Sequence, residues 1–290
     1  DPVGGIDGSA LEIITWDPDG PGPERELLVV ARQFRAAGGV VGNNIAAWDG
    51  VAWRAFGCGT DGSVQALCIF NNELYAGGFF NSAGGNRTPN IARWDGSQWH
   101  ALGDDLNRPV LSMTTYQGDL IVGGLFTSAG KKVVNRIARW DGVDWHALDI
   151  GLTNSIVPSV GHADAVCVWN GDLIAGGVFT HAGGAQANFI ARWDGQSWHP
   201  LGSGTDSGVR ALSVYRGDLI AGGHFVTAGG VPAAHVARWD GNTWFPLDSG
   251  TTGFNQIVLA LHVSNGELFA GGGFIVAGEV SAKFIARWNG

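Results

Sequence analysis

Lysine is almost missing from this chain: Lys131, Lys132 and Lys283 are the only ones. With arginine there are 17 basic side chains against 26 acidic ones, a formal net charge of −9. Nucleic acid and anionic membranes are held by basic faces, so neither is an expected partner. The acidic surface mainly favours solubility. Cysteine is scarce as well, limited to Cys58, Cys68 and Cys167, and no Cys-x-x-Cys pair occurs. A structural zinc site is therefore not indicated. No apolar run approaches the ~20 residues that span a bilayer, so membrane insertion is not expected. No window sustains the 3.6-residue spacing of an amphipathic helix. No secretion leader is visible, and the opening Asp1-Pro2 fits a processed or trimmed form.

What is abundant is glycine, with 48 residues, and tryptophan, with 13. Both fall at fixed places in a repeat. Trp-Asp-Gly occurs at Trp48, Trp94, Trp140, Trp193 and Trp239, and Trp288-Asn289-Gly290 is a sixth version, so the spacings are 46, 46, 53, 46 and 49 residues. A period of this size marks stacked supersecondary units, and four strands per unit marks propeller blades. The expectation is an all-β chain, a six-bladed β-propeller of four-stranded antiparallel blades. It would form one domain over 1–290, its last blade incomplete or closed by the N-terminus.

Each unit reads as four strands. Val64 to Phe70 exemplifies the inner one, apolar at both parities because neighbouring blades cover both of its faces. Asn170-Gly171 and its counterparts Gln117-Gly118, Arg216-Gly217 and Asn265-Gly266 supply the positive φ angles of a tight hairpin. The second strand, Leu173 to Phe179, carries a glycine pair that marks close backbone approach between blades. A loop of about ten residues, often with Ala-Gly-Gly, leads to the third strand, Ile91 to Trp94, and Trp99 to Leu102 is the fourth. In Trp-Asp-Gly-x-x-Trp the two indoles then stand directly opposite each other, and such cross-strand aromatic pairs contribute roughly 0.2–1 kcal/mol beyond burial. Core packing rather than a ligand platform is their expected role.

Irregularities stand out against this frame. Unit one has Ala10 to Trp16 as inner strand and a projecting loop, Asp17 to Pro23, whose Asp-Pro-Asp-Gly lacks the alternating ligands and terminal Glu of a calcium loop. Unit four carries about seven extra residues between Leu148 and Val166, and long loops on rigid repeats are where binding resides. Arg216-Gly217-Asp218 fills a hairpin position and is not expected to act as an adhesion tripeptide. Asn86-Arg87-Thr88 is a glycosylation sequon in a loop, relevant only in a secreting eukaryote. Cys68 and Cys167 hold equivalent inner-strand places two units apart, so no bridge is expected, and the thiols should be small and buried with Cys58 in a loop.

These motifs resemble the kelch and galactose-oxidase-like propellers. They are more similar still to the GGxFTxAGG…IARWDGxxW repeats of bacterial cell-surface proteins and fungal cortical polarity-marker proteins. The resemblance covers nearly the whole chain. It implies a surface or extracellular interaction module. An extracellular, cell-surface or periplasmic location, a protein or glycan ligand and a component's place in a larger assembly are the accompanying expectations. The copper ligands of galactose oxidase have no counterpart: Tyr75, Tyr116 and Tyr215 all sit at repeat strand positions. No cofactor and no metal are expected.

Inter-blade loops and the loops joining strands two and three should share one face. The first set offers Asp61, Asp104, Asp105, Arg108, His162, Asp164, Asp206 and Asn255. The second offers Asn86, Arg87, Lys131, Lys132, His181, His235 and Lys283. The binding candidates are His162, Asp164, Arg108, Asp104, Asp105, His181 and His235; no catalytic residue is assigned. His162-Ala163-Asp164 is the compact acid–imidazole pair, to which Arg108 or Arg210 could be added from a neighbouring blade. His224 and His262 are expected in the core. A noncatalytic binding or scaffold module is the first expectation. A subunit docked through its rim or an open edge on Ile285 to Trp288 is the second, and an extracellular polysaccharide lyase or hydrolase the third.

Overall fold

The computed structural model describes residues 4–23, 25–252 and 256–288. The protein is all-β apart from a 3-10 turn at Pro158–Val160, and its sheets are those of a propeller-like fold. It divides into two compact units, Asp1–Ala147 and Leu148–Gly290, each holding three repeats.

In the first unit the sheets run Ser9–Trp16, Leu27–Gln33, Ile45–Trp48, Trp53–Ala55; then Ser63–Phe70, Glu73–Phe79, Ile91–Trp94, Trp99–His100; then Val110–Tyr116, Asp119–Gly124, Ile137–Trp140, Trp145–Ala147. All three are four-stranded antiparallel sheets in chain order. In the second unit the fourth sheet is His162–Trp169, Asp172–Val178, Ile190–Trp193, Trp198–Pro200, and the fifth is Val209–Tyr215, Asp218–Gly223, Val236–Trp239, Trp244–Pro246. The sixth has three strands among the described residues, Val258–Ser264, Glu267–Gly272 and Ile285–Trp288. Closure of the last sheet by a short outer strand over residues 1–5, one of the alternatives for its ending, is not made by Gly4 or Gly5, and residues 1–3 lie outside the described ones.

The hairpin between the first two strands turns through two left-handed residues, for example Asn170 (φ 49°) and Gly171 (φ 85°), as Asn-Gly dictates. Arg216 (φ 53°) does the same, stacked over the Tyr215 ring at 5.1 Å, while Asp218 pairs with Arg238 at 2.6 Å. The Arg-Gly-Asp tripeptide is thus a turn with both charges engaged. Every facing indole pair is in register. Trp48–Trp53, Trp94–Trp99, Trp140–Trp145, Trp193–Trp198 and Trp239–Trp244 have ring centroids 5.1–5.5 Å apart. The outer indole also reaches the preceding repeat, Trp99 Nε1 donating to Phe56 O at 3.0 Å and Trp244 Nε1 to Leu201 O at 2.9 Å. These two pairs therefore close their own sheets and stitch each to the one before it in the same unit.

The Asp of each turn accepts from two backbone N–H groups. Asp95 takes Ser97 N and Gln98 N at 2.8 Å, and its other oxygen meets His100 Nε2 at 2.6 Å. Asp141 with His146 and Asp194 with His199 repeat the arrangement at 2.7 Å. The donated backbone N–H bonds, with the histidine contacts, hold these three carboxyls well below the usual range.

Two expectations are corrected here. The connection between strands two and three is not an open loop. It is a small hairpin, Ser82–Ala83 with Asn86–Arg87 in the second repeat, turned by Gly84 and Gly85 at φ 60° and 84°. The inter-blade loop pairs with it, through Thr60↔Ala83 there and through Leu152–Thr153 with His181–Ala182 in the fourth repeat. The glycine pair also works differently from expectation. A Cβ on Gly77 would lie 2.5 Å from Val110 Cγ1 of the next sheet, so the first glycine admits a neighbouring side chain. A Cβ on Gly78 would strike Ser63 O and Val64 of its own sheet. There the inner strand carries a β-bulge, between Val64 and Ala66, and the second glycine makes room for it. The same bulge falls at Leu111, Asp164, Arg210 and Leu259, and between Ala10 and Glu12.

Cys68, Cys167 and Cys58 are all free thiols. Cys68 is buried, and burial pushes it and Cys167 up to about 12. Cys58 is exposed, contrary to expectation, because it sits at the tip of the inter-blade loop. His262 is exposed too, not a core residue: the face of the sixth sheet that carries it and Ile285 (64 % exposed) is uncovered.

Candidate functional site

The bulges decide where polar side chains go. An inserted residue re-aims its side chain away from the regular alternation of the strand. In the second unit two consecutive bulges hold opposite charges, Asp164 and Arg210, and Arg210 Nη1 meets Asp164 Oδ1 at 2.9 Å. His162 opens the same inner strand, opposite Val178, and places Nδ1 2.9 Å from Asp164 Oδ2. Both therefore lie in a strand; the long unit-four insertion ends just before them. The Asp164 side chain is 7 % exposed, His162 16 % and Arg210 33 %.

His224 and His235 complete the group. His224 follows the glycine pair Gly222-Gly223 of the fifth sheet. Burial lowers its pKa first, the nearby Arg210 and His235 lower it further, and Asp164 opposes them. His235 is buried, with Nε2 3.3 Å from Gln256 Oε1. Its backbone is left-handed at φ 75°, a position where the first two repeats carry Asn44 and Asn90, with φ 75° and 68°. The same position is left-handed in the other three repeats too, at Arg136, Phe189 and Phe284, so the conformation belongs to the repeat.

This cluster is poorly satisfied. Among the described residues seven buried side-chain polar atoms lack a hydrogen bond, and four are here: His162 Nδ1, Asp164 Oδ2, Arg210 Nε and His235 Nδ1. The close His162–Asp164 approach is electrostatic, its angles falling outside hydrogen-bond geometry. Buried polar groups are normally satisfied, so such a concentration calls for an outside partner, water or ligand.

The other expected residues lie elsewhere. Asp105 pairs with Arg87. Asp104 lies against Gly130 of the third repeat's small hairpin, and its carbonyl accepts from Trp145 Nε1 at 3.1 Å. Arg108 is exposed, and its charge acts on Arg136. His181 sits in the small sheet of the fourth repeat, Nδ1 2.9 Å from Thr180 Oγ1. Asp61 and Asp206 are tied to backbone N–H groups of the neighbouring hairpin, Asp206 Oδ1 accepting from Val226 N at 2.9 Å. Asn255 lies outside the described residues.

Sequence reasoning passed over Glu12. It follows the bulge of the first inner strand, where the other repeats carry Ala66, Ser112, Ala165, Ala211 and Ala260. Burial raises its pKa to about 7, against a smaller opposing pull from Arg32. The signal was available as a carboxylate standing where the other repeats have only alanine or serine.

Comparison with known proteins places the fold alone. No protein-family model matches the chain, and no curated protein sequence does. An ancestral GH74 enzyme is similar in structure, with a TM-score of 0.57 and 12% identity over 93% of this chain. This chain spans only 35% of that enzyme. A computationally designed protein, Ika8, aligns over 97% of this chain and 83% of its own at 11% identity, with a TM-score of 0.48.

Proposed function

We propose that this protein is a noncatalytic binding module, a six-bladed kelch-like propeller of the cell envelope or exterior. Its ligand is held by the His162–Asp164–Arg210–His224–His235 cluster. The observation that carries this reading is the four unsatisfied buried atoms gathered there. Arg210 pairs with Asp164, and the unsatisfied atoms include a donor, Arg210 Nε, an acceptor, Asp164 Oδ2, and two histidine nitrogens that can serve as either. A mixed set of this kind suits a ligand whose hydroxyls both donate and accept, a glycan in the first place. Exposed Val157 and Val160, just ahead of His162, add apolar surface for the C–H face of a sugar ring. Glycan-array binding tests the proposal. Asp164→Ala and Arg210→Ala should each weaken a positive signal at least tenfold. An array without any signal, or variants that bind like the parent, would refute it.

One observation favours a second reading, an enzyme acting on extracellular polysaccharide. A carboxyl titrating near 7, as Glu12 does, is suited to general acid–base work. Release of reducing ends or unsaturated products from a polysaccharide panel, abolished by Glu12→Gln, would replace the first reading with this one.

A further inference from the structure

The projecting loop of the first repeat, Asp17 to Pro23, takes no part in the site proposed above, yet the fold holds it in place. Asn72 Nδ2 of the next hairpin donates to Pro18 O at 3.1 Å, and Trp16 Nε1 donates to Asn72 O at 3.1 Å. Pinned there, Pro23 and Arg25 stand beside the Trp48-to-Trp53 turn of the same repeat. With Asp49, Val51 and Arg54 they line a notch of about 320 Å³, within the range of about 300–1,000 Å³ typical of ligand clefts.

The charges here are arranged unlike those of the neighbouring repeats. In the second and third repeats an acid on the second strand pairs with an arginine on the third, Glu73 with Arg93 and Asp119 with Arg139, both at 2.6 Å. In the first repeat the same register places Leu27 and Ala47 at those two positions, so the pair does not exist. The first repeat carries its arginines at the notch instead. Arg54 lies on the outer strand, where the next two repeats have His100 and His146. Its Nε donates to Asp49 Oδ2 at 2.8 Å, and Asp49 Oδ1 accepts from Val51 N and Ala52 N at 2.8 and 2.7 Å. Both oxygens of Asp49 are thus engaged, while among the described residues the terminal nitrogens of Arg54 hold no hydrogen bond. Arg25 brings a second guanidinium, its Nη1 3.8 Å from where a Cβ on Gly50 would lie. Among the described residues Arg25 has neither an ion pair nor a side-chain hydrogen bond. Asp49 offsets one of the two arginines lining the notch, which leaves one positive charge over in a chain whose formal net charge is −9.

We propose that this notch binds an organic monoanion, a carboxylate or sulfate ester carried on a small carbon skeleton. The N–H groups of two guanidinia can take the oxygens of one such group in charge-assisted hydrogen bonds. A single uncompensated charge matches a monoanion better than a phosphate monoester, which approaches two negative charges at neutral pH. Pro23 and the exposed Val51 give the notch an apolar edge for the carbon skeleton, which an inorganic ion would not use. The bound anion supplies the partner that the second-strand acid supplies in the neighbouring repeats.

Isothermal titration calorimetry of the whole chain with glucuronate, glucose sulfate, glucose and inorganic sulfate tests the proposal. Glucuronate or glucose sulfate should saturate the notch with a Kd of about 1 mM or below, and the tighter of the two identifies the anion. Binding should weaken as salt is raised, because the site is exposed to screening. Glucose should give no saturable heat, and inorganic sulfate should bind more weakly than either organic anion. Arg25→Gln and Arg54→Gln should each weaken binding about tenfold or more, the size of a lost hydrogen bond to a charged group, with an unchanged melting temperature. The glycan-array signal assigned to the Asp164–Arg210 cluster should survive Arg25→Gln, which separates the two sites. No saturation by either organic anion up to about 10 mM would overturn the proposal. So would glucose or inorganic sulfate binding as tightly as the organic anions, or parental affinity in Arg25→Gln. If Arg54→Gln melts early because Asp49 has lost its partner, Arg25→Gln decides the matter.

Discussion

Glu12→Gln should stabilise the protein at pH 8 and leave it unchanged at pH 4. Burial raises the Glu12 carboxyl from 4.5 to about 7 in the folded protein, because the charged form loses hydration in the interior. Between these values the native state holds a proton that the unfolded chain has released. Stability therefore falls as pH rises from the ordinary glutamate value through about 7, and is flat above. The gap between 4.5 and about 7, at about 1.4 kcal/mol per pH unit, comes to roughly 3 kcal/mol. Glu12 retains partial solvent contact, and screening lowers that toward about 2 kcal/mol. Glutamine keeps the shape and the polar group without the charge. Guanidinium denaturation followed by tryptophan emission, run on both proteins at pH 4 and pH 8, measures the difference directly. A Glu12→Gln effect of the same size at both pH values would refute the reasoning. So would a destabilised variant at pH 8.

The outer indoles are structural, so Trp99→Ala should cost about 3–5 kcal/mol, since the ring is 1 % exposed and its N–H is bonded; a chemical-denaturation midpoint near wild type would contradict this. Gly77→Ala should destabilise by about 1–3 kcal/mol through overpacking, because the new methyl meets Val110 Cγ1 at 2.5 Å. Adding Val110→Ala should recover part of that loss, and simple additivity in the double-mutant cycle would count against the contact. On the acid side, Asp95, Asp141 and Asp194 have depressed pKa values. Their contribution is complete above the ordinary aspartate value and is lost as pH falls through the depressed ones. Asp141→Asn should therefore flatten the acid limb of a stability-versus-pH curve; an unaltered limb would show that this turn contributes nothing.

The repeat, the strand order, the left-handed hairpins and the indole pairs are all legible in the residues alone. All of these are local: Asn-Gly, Asp-Gly and the four-residue separation of two tryptophans specify geometry within one hairpin. The sequence also singled out His162 and Asp164 as a compact pair. Tertiary structure decided what that pair meets. Arg210 is 46 residues from Asp164, and only the stacking of consecutive sheets, each with a bulge at the same register, aligns the two charges. The bulge could not be read from spacing, because one extra residue in a strand leaves no mark in a period that already varies between 46 and 53. The hairpins hidden in the Ala-Gly-Gly loops escaped for a related reason. Two-residue strands have no periodicity of their own and exist only because an inter-blade loop lies beside them to share their hydrogen bonds.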